Sequence, residues 1–158
     1  MPVAEEGDPF GLSRFVVAQD AVFDTVLNEL RAGRKQTHWM WFVFPQLRAL
    51  GRSPTANFYG IASIEEARAY LRHPVLADRL VLAVDAVLGI SDRSAHEVFG
   101  SPDDLKFRSS MTLFSEAAGE KGERFLLALK RFFAGERDPT TLELTGGGMS
   151  PPRAGRLD

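Results

Sequence analysis

The stretch THWMWFVFPQL, residues 37–47, decides the fold class, because no other part of the chain has the composition of a β-strand. Four aromatic residues fall within the six positions from Trp39 to Phe44, and aromatic residues and valine favour pleated surfaces. A strand needs a second strand to take its backbone hydrogen bonds, and the sequence contains no other candidate. The stretch is therefore predicted to be a buried helix from about Thr37, bent at Pro45, which cannot donate a hydrogen bond to the preceding turn.

Helix signals recur through the rest of the chain. In PVLADRLVLAVDAVLG, residues 74–89, the apolar residues recur at spacings of three and four, and proline stands first, where a helix needs no N–H. Capping boxes, in which a serine and an acidic residue three positions later each accept a backbone N–H, are predicted at three places. They are Ser63 with Glu66, Ser94 with Glu97 and Ser101 with Asp104.

These patterns predict an all-α protein. We expect a single compact domain of six to eight helices over residues 8–146, with no significant sheet. Residues 147–158 are rich in glycine and proline and show no periodicity, so a disordered tail is predicted there.

The composition excludes several classes of protein. The chain has 158 residues, 44% of them hydrophobic and 25% charged, which is typical of one globular domain. No apolar run approaches the roughly 18 residues of a spanning helix, so no membrane association is predicted. A net charge of −2 disfavours nucleic acid as a partner. The chain has no cysteine, which excludes disulfides and thiolate chemistry and fits a cytoplasmic location.

No metal or cofactor is predicted. The three histidines are far apart in sequence and none lies in an HExxH motif, and no glycine-rich phosphate loop occurs. The histidines are His38, His73 and His96.

A first group of candidate ligand-binding residues accompanies the aromatic run. Lys35, His38, Trp39 and Gln46 fall near one face of the predicted helix, and a polar strip on an apolar helix is typical of a pocket lining. His38 is the only candidate for a general acid or base. Two of these residues also have an ordinary interpretation. Lys35 is then a solvated lysine before a helix, and His38 is a core or surface histidine bonded to the backbone. The neighbouring aromatic residues are expected in the core: Trp41, Phe42 and Phe44.

A second group lies in SPDDLKFRSSMTLF, residues 101–114. Ser109, Ser110 and Thr112 lie together within a predicted helix, where serine competes for backbone hydrogen bonds and is disfavoured. Close helix packing is one explanation. The other is a binding site in which hydroxyls beside Lys106 contact phosphate, carboxylate or sugar oxygens. A Ser–Lys catalytic pair lacks support, since no nucleophile elbow occurs.

The chain resembles a known family. The blocks DPFGLSRFVVAQD, HWMWFVFPQL and DDLKFRSSMTLF are similar to those of the domain-of-unknown-function family 1810, and the resemblance extends from about residue 8 to residue 146. It implies a mainly helical, mostly bacterial protein without an established activity. Some members carry a calpastatin-like label, but inhibitors of that kind are disordered repeats, and this chain has no repeat.

Two functions are compatible with these features. The first is the binding, with or without processing, of a small anionic or nucleotide-like ligand between the helices predicted over residues 35–46 and 103–114. The alternative is a non-enzymatic module that binds a protein partner or forms a homodimer. Whether the protein is an enzyme stays open.

Overall fold

The computed structural model describes residues 7–146, and ten complete α-helices lie in this range. They are α1 (Ser13–Asp20), α2 (Phe23–Arg31), α3 (Met40–Val43), α4 (Pro54–Tyr59), α5 (Ile64–Arg72), α6 (Pro74–Leu88), α7 (Ala95–Phe99), α8 (Asp103–Ala118), α9 (Glu123–Phe133) and α10 (Pro139–Thr145). Two 3₁₀ turns, Arg48–Leu50 and Gly119–Lys121, complete the regular structure. The prediction of an all-α fold is confirmed.

The number of helices exceeds the predicted six to eight, because several helices are very short. Four of the ten, namely α3, α4, α7 and α10, have seven residues or fewer. A helix of one or two turns shows too little periodicity to be recognised from sequence. The predicted tail over residues 147–158 lies outside the described residues.

Helix α8 forms the centre of the domain. Eight of its residues are buried, and it packs against α5, α7, α9 and α10. Phe107 lies at the middle of an aromatic cluster, with its ring centroid 4.9 Å from that of Phe44 and 4.7 Å from that of Phe99. Burial on nearly every side places large residues such as Phe107 and small polar residues such as Ser110 in the same core.

The helix predicted from about Thr37, with a bend at Pro45, is wrong in length. Only Met40–Val43 is helical, with Trp39 as the residue before the first turn. Phe44 leaves the helix with φ −124° and ψ 72°. The prediction of core residues holds fully for Phe44, which is 1% exposed, whereas Trp41 and Phe42 are half-buried.

The helix signals differ in how well they specify the ends of helices. Helix α6 begins at Pro74 and ends before Gly89, as predicted. The capping box of Ser94 and Glu97 is complete. Ser63 caps α5, but the carboxylate of Glu66 accepts the N–H of Ala62 instead of closing the box. The box of Ser101 and Asp104 is wrong, because Pro102 precedes the first turn of α8 and the Asp104 N–H donates to the carbonyl of Gly100.

The segment between α3 and α5 folds back on itself beside the aromatic run. Leu47 and Ile61 form an isolated parallel bridge, in which the N–H of Arg48 donates to the carbonyl of Ile61 over 2.8 Å. We call the place where residues 47–48 pass residues 60–61 the crossing. A Cβ built on Gly60 would lie 2.4 Å from Arg48 Cα there, so the two backbones are in direct contact.

Arg14 of α1 holds the crossing in place. Its guanidinium donates to the carbonyls of Phe58 and Gly60 and to the Glu66 carboxylate, at 2.8, 2.9 and 2.7 Å. The planar guanidinium presents several N–H groups in fixed directions, so one side chain can join three segments. The loop fixed in this way forms one wall of the candidate site. None of the described helices is long and apolar enough to cross a membrane.

Candidate functional site

The two predicted groups of residues meet at one carboxylate. Asp103, at the first turn of α8, contacts Lys35 Nζ through Oδ2 at 3.0 Å and Lys106 Nζ through Oδ1 at 3.5 Å. Lys35 reaches this position because its backbone N–H donates to the carbonyl of Val98 in α7 over 2.7 Å. The Lys35 side chain is only 8% exposed, and that of Lys106 is 28% exposed.

Trp39 lies beneath Lys35 and is part of the hydrophobic core. Its ring is 1% exposed, and the Lys35 ammonium lies 5.2 Å from the ring centroid, within the range of a cation–π interaction. The indole N–H donates to Glu29 Oε1 over 2.8 Å. Both faces and the polar edge of the ring are therefore occupied or covered, so a ligand could stack on Trp39 only after local opening.

Glu29 organises the segment that carries Lys35. Its carboxylate accepts the N–H groups of Gln36 and Thr37 at 2.8 and 3.1 Å, the Thr37 hydroxyl at 2.7 Å and the Trp39 indole N–H. Partial burial acts to raise the pKa of Glu29, but these hydrogen bonds outweigh burial and lower it to about 2. The segment before α3 thus donates its hydrogen bonds to a carboxylate that stays ionised at any pH well above 2.

A narrow cleft opens between Lys106 and the folded-back loop. Its walls include the aromatic rings of Trp41 and Tyr59, the Gln46 side chain and the backbone at Gly60. The Lys106 ammonium lies 5.9 Å from the Trp41 ring centroid. The cavity volume is about 10 Å³, close to the space that one water molecule needs. The structure thus brings Lys106 and Gln46 together, with Lys35 on the other side of Asp103.

The three hydroxyls predicted as ligand donors lie in the interior around α8. Ser109 donates to the carbonyl of Leu105 at 3.2 Å. Thr112 donates to the carbonyl of Arg108 and accepts the N–H of Asp138 at 2.9 Å, which ties α8 to the start of α10. Ser110 is fully buried, and its hydroxyl has no hydrogen-bond partner among the described residues. None of the three lines the cleft. Close helix packing accounts for all three positions.

His38 lies at the surface, apart from these contacts. Its side chain is exposed, and no hydrogen bond or ion pair is found for it within residues 7–146. His38 does not line the cleft described above, and its role as a general acid or base stays a prediction. The described residues also contain no group of three or more histidine, aspartate or glutamate side chains that could hold a metal ion.

Sequence reasoning missed three residues of the site. Asp103 could have been found, because it stands three positions before Lys106 in a helix, where opposite charges meet. Trp41 was assigned to the core, although its ring is half-exposed toward the cleft. Tyr59 reaches the cleft only through the folded-back loop, which no local pattern predicts.

Comparisons with known proteins place the chain in a family. It is similar to the conserved hypothetical protein Rv1873 from Mycobacterium tuberculosis, whose crystal structure superposes with a TM-score of 0.86 at 52% sequence identity. The match covers 88% of this chain and 99% of that one. Among curated proteins no significant match is found. Residues 9–145 match a family model described as "Protein of unknown function (DUF1810)". Because this match spans nearly the whole described domain, the chain belongs to the DUF1810 family.

Proposed function

We propose that the cleft beside Lys106 binds a small anionic ligand. The observation that carries the proposal is that Lys35 and Lys106 share the single carboxylate of Asp103. One carboxylate neutralises only one of the two ammonium groups, so one positive charge remains at a partly buried position. Such a charge attracts anions more strongly than a fully solvated lysine does, because the low-dielectric surroundings screen it less.

The anionic group of the ligand would bind Lys106. This lysine is the more exposed of the two and the more distant from Asp103, at 3.5 Å against 3.0 Å for Lys35. A ligand oxygen would replace the long contact to Asp103 at Lys106, while the shorter pair of Lys35 and Asp103 stays intact.

The rest of the cleft favours a ligand with a flat ring. Trp41 and Tyr59 give the cleft an aromatic wall. The Gln46 side chain, for which the described residues provide no hydrogen bond, offers both a donor and an acceptor. A nucleotide or a sugar phosphate has this combination of groups. A cavity of about 10 Å³ is too small for either, so binding requires an outward rotation of the half-buried Trp41 side chain.

The proposal is one of binding, without a catalytic step, and its setting is the bacterial cytoplasm, which a chain without cysteine fits. The alternative is a protein-interaction module or a homodimer. It would draw on the exposed large apolar side chains, which in residues 7–146 are spread over six helices and the segment before α1.

A thermal-shift screen tests the proposal. The panel contains nucleotides, ADP-ribose, dinucleotides, sugar phosphates and inorganic phosphate. A ligand at 100 times its Kd adds about 2.7 kcal/mol of stability, which shifts the Tm of a domain of this size by roughly 5–10 °C. Lys106→Ala should abolish the shift, and Lys130→Ala, at an exposed position remote in sequence from the cleft, should retain it.

A second variant makes the test sharper. Asp103→Asn removes the competing carboxylate and leaves both lysines, so the affinity for the anion should rise about tenfold. No shift with any member of the panel, or a shift that Lys106→Ala retains, would contradict the proposal. In that case, sedimentation equilibrium would test the homodimer directly.

A further inference from the structure

A second concave surface lies at the C-terminal end of α8 and shares no residue with the cleft, which Lys106 lines near the start of that helix. It is a groove between α5, α6, the C-terminal end of α8 and the start of α9, with a volume of about 370 Å³. This volume falls within the range of small-molecule sites. Its floor is apolar and consists of Leu71, Ala77, Val81, Ala117, Ala118 and Phe125.

Every charged residue that lines the groove is a cation. Arg68 and Arg72 stand one turn apart on α5, and Lys121 and Arg124 face the groove from the α8–α9 junction. No aspartate or glutamate belongs to the lining. The lining cations that stay unpaired within residues 7–146 raise the local positive potential, and an apolar floor strengthens that field.

Three of the four cations have no partner in the described part of the chain. Arg124 pairs with Asp85 at 2.6 Å, whereas no ion pair or side-chain hydrogen bond is found there for Arg68, Arg72 or Lys121. Arg79 on α6, in contrast, finds an acid in Asp20, and Arg131 on α9 donates to the backbone carbonyls of Leu88 and Ile90. The groove therefore gathers charge that the fold itself leaves uncompensated.

The helix dipole explains only part of the clustering of cations around the groove. α5 ends at Arg72 and α8 ends at Ala118, and cations near helix C-termini are stabilised by the helix dipole. That effect fades within the last turn, so it does not require Arg68, which stands in the middle of α5. It also gives no reason for an open apolar floor between the cations.

We propose that this groove binds a small amphiphilic anion, with a flat apolar body on the floor and a phosphate or carboxylate group between Arg68, Arg72 and Lys121. Guanidinium groups match such oxygens in paired hydrogen bonds, and a concave site of this size suits a small molecule better than it suits a flat bilayer. The Lys106 cleft differs in its lining, which has aromatic walls and a single cation, so a Lys106→Ala variant tells binding in the groove from binding in the cleft.

Three matched compounds test the proposal: 2-naphthyl phosphate, 2-naphthol, which lacks the charge, and inorganic phosphate, which lacks the apolar body. Isothermal titration calorimetry on the full chain should give one saturable site for naphthyl phosphate, with an affinity at least about tenfold above that of either fragment. Amide chemical shifts should change in the segments around Arg72 and Lys121. Equal affinities for all three compounds, or no binding, would overturn the proposal.

Variants separate this groove from other sites. The double change R68Q/R72Q should weaken binding at least about tenfold while both side chains, which are exposed, leave the fold intact. Ala77→Leu should reduce binding without a change in charge, because it fills the floor. Lys106→Ala and Lys130→Gln should bind normally. Affinity that R68Q/R72Q retains, or binding to anionic phosphatidylglycerol vesicles in place of naphthyl phosphate, would refute a small-molecule site here.

Discussion

The indole N–H of Trp39 donates to the carboxylate of Glu29 over 2.8 Å, and this bond fixes the segment that holds Lys35 against Asp103. Glu29 also accepts three hydrogen bonds from Gln36 and Thr37. A half-buried carboxylate with four donors is a stable anchor only while it is ionised. The position of one half of the proposed site therefore depends on a residue of α2 that does not line the cleft.

The first prediction concerns pH. The folded state lowers the pKa of Glu29 from an ordinary 4.5 to about 2, so its contribution to stability is complete above about pH 5 and is lost as the pH falls toward 2. After allowance for solvent screening, the loss should be on the order of 1–3 kcal/mol. Urea unfolding between pH 7 and pH 2.5 measures it.

Glu29→Gln isolates that contribution. The variant should be less stable at pH 7 and should lose less further stability on acidification than the parent chain. Parallel pH profiles for the two proteins would contradict the assigned pKa. Trp39→Phe keeps an aromatic side chain but removes the N–H and part of the buried ring, and should lower stability by about 1–3 kcal/mol.

The second prediction compares two buried hydroxyls that lie two residues apart on α8. Ser110 has no hydrogen-bond partner in the described chain, so Ser110→Ala should keep the free energy of unfolding or raise it by up to about 1 kcal/mol. Thr112 accepts the N–H of Asp138, so Thr112→Val should lose about 1–2 kcal/mol. Urea midpoints measure both changes. A large loss in Ser110→Ala would reveal a hydrogen bond of Ser110 outside the described residues.

The third prediction concerns two ion pairs that differ in burial. Glu66 is 2% exposed and Arg14 is 11% exposed, so Glu66→Ala leaves a buried guanidinium without its acid and should cost about 3–5 kcal/mol. Asp85 and Arg124 are about half-exposed at a similar distance, so Asp85→Ala should cost less than about 1 kcal/mol. Equal effects in chemical denaturation would show that burial does not separate the two pairs.

The fourth prediction concerns two glycines. At Gly60 a Cβ would lie 2.4 Å from a backbone atom, so Gly60→Ala should destabilise the fold by about 3 kcal/mol or more. At Gly135 the φ angle is +81° and nothing lies within 4 Å, so Gly135→Ala should cost only about 1–2 kcal/mol, from backbone strain. The Tm values of the Gly60→Ala and Gly135→Ala variants measure the two losses of stability. A milder effect at Gly60 would mean that the crossing can relax.

The sequence predicts this molecule well where structure depends on local patterns. The long helix α6 follows from its periodicity and its first proline, and the capping box of Ser94 and Glu97 follows from spacing. The aromatic run was predicted as too long a helix, since the competing hydrogen bonds to Glu29 come from another helix. The candidate site shows the same limit of local patterns. Residue type predicts Lys35 and Lys106 as site residues, whereas Tyr59 reaches the cleft only through tertiary contacts of the folded-back loop.

The contact between Gly60 and Arg48 has a consequence for the evolution of the family. A Cβ at position 60 is incompatible with the crossing, and the same backbone also lines the cleft. The glycine therefore allows the two backbone segments to follow this route past each other. A member with any larger residue there must direct the segment between α3 and α5 along another path, and its aromatic wall would then be missing from the cleft.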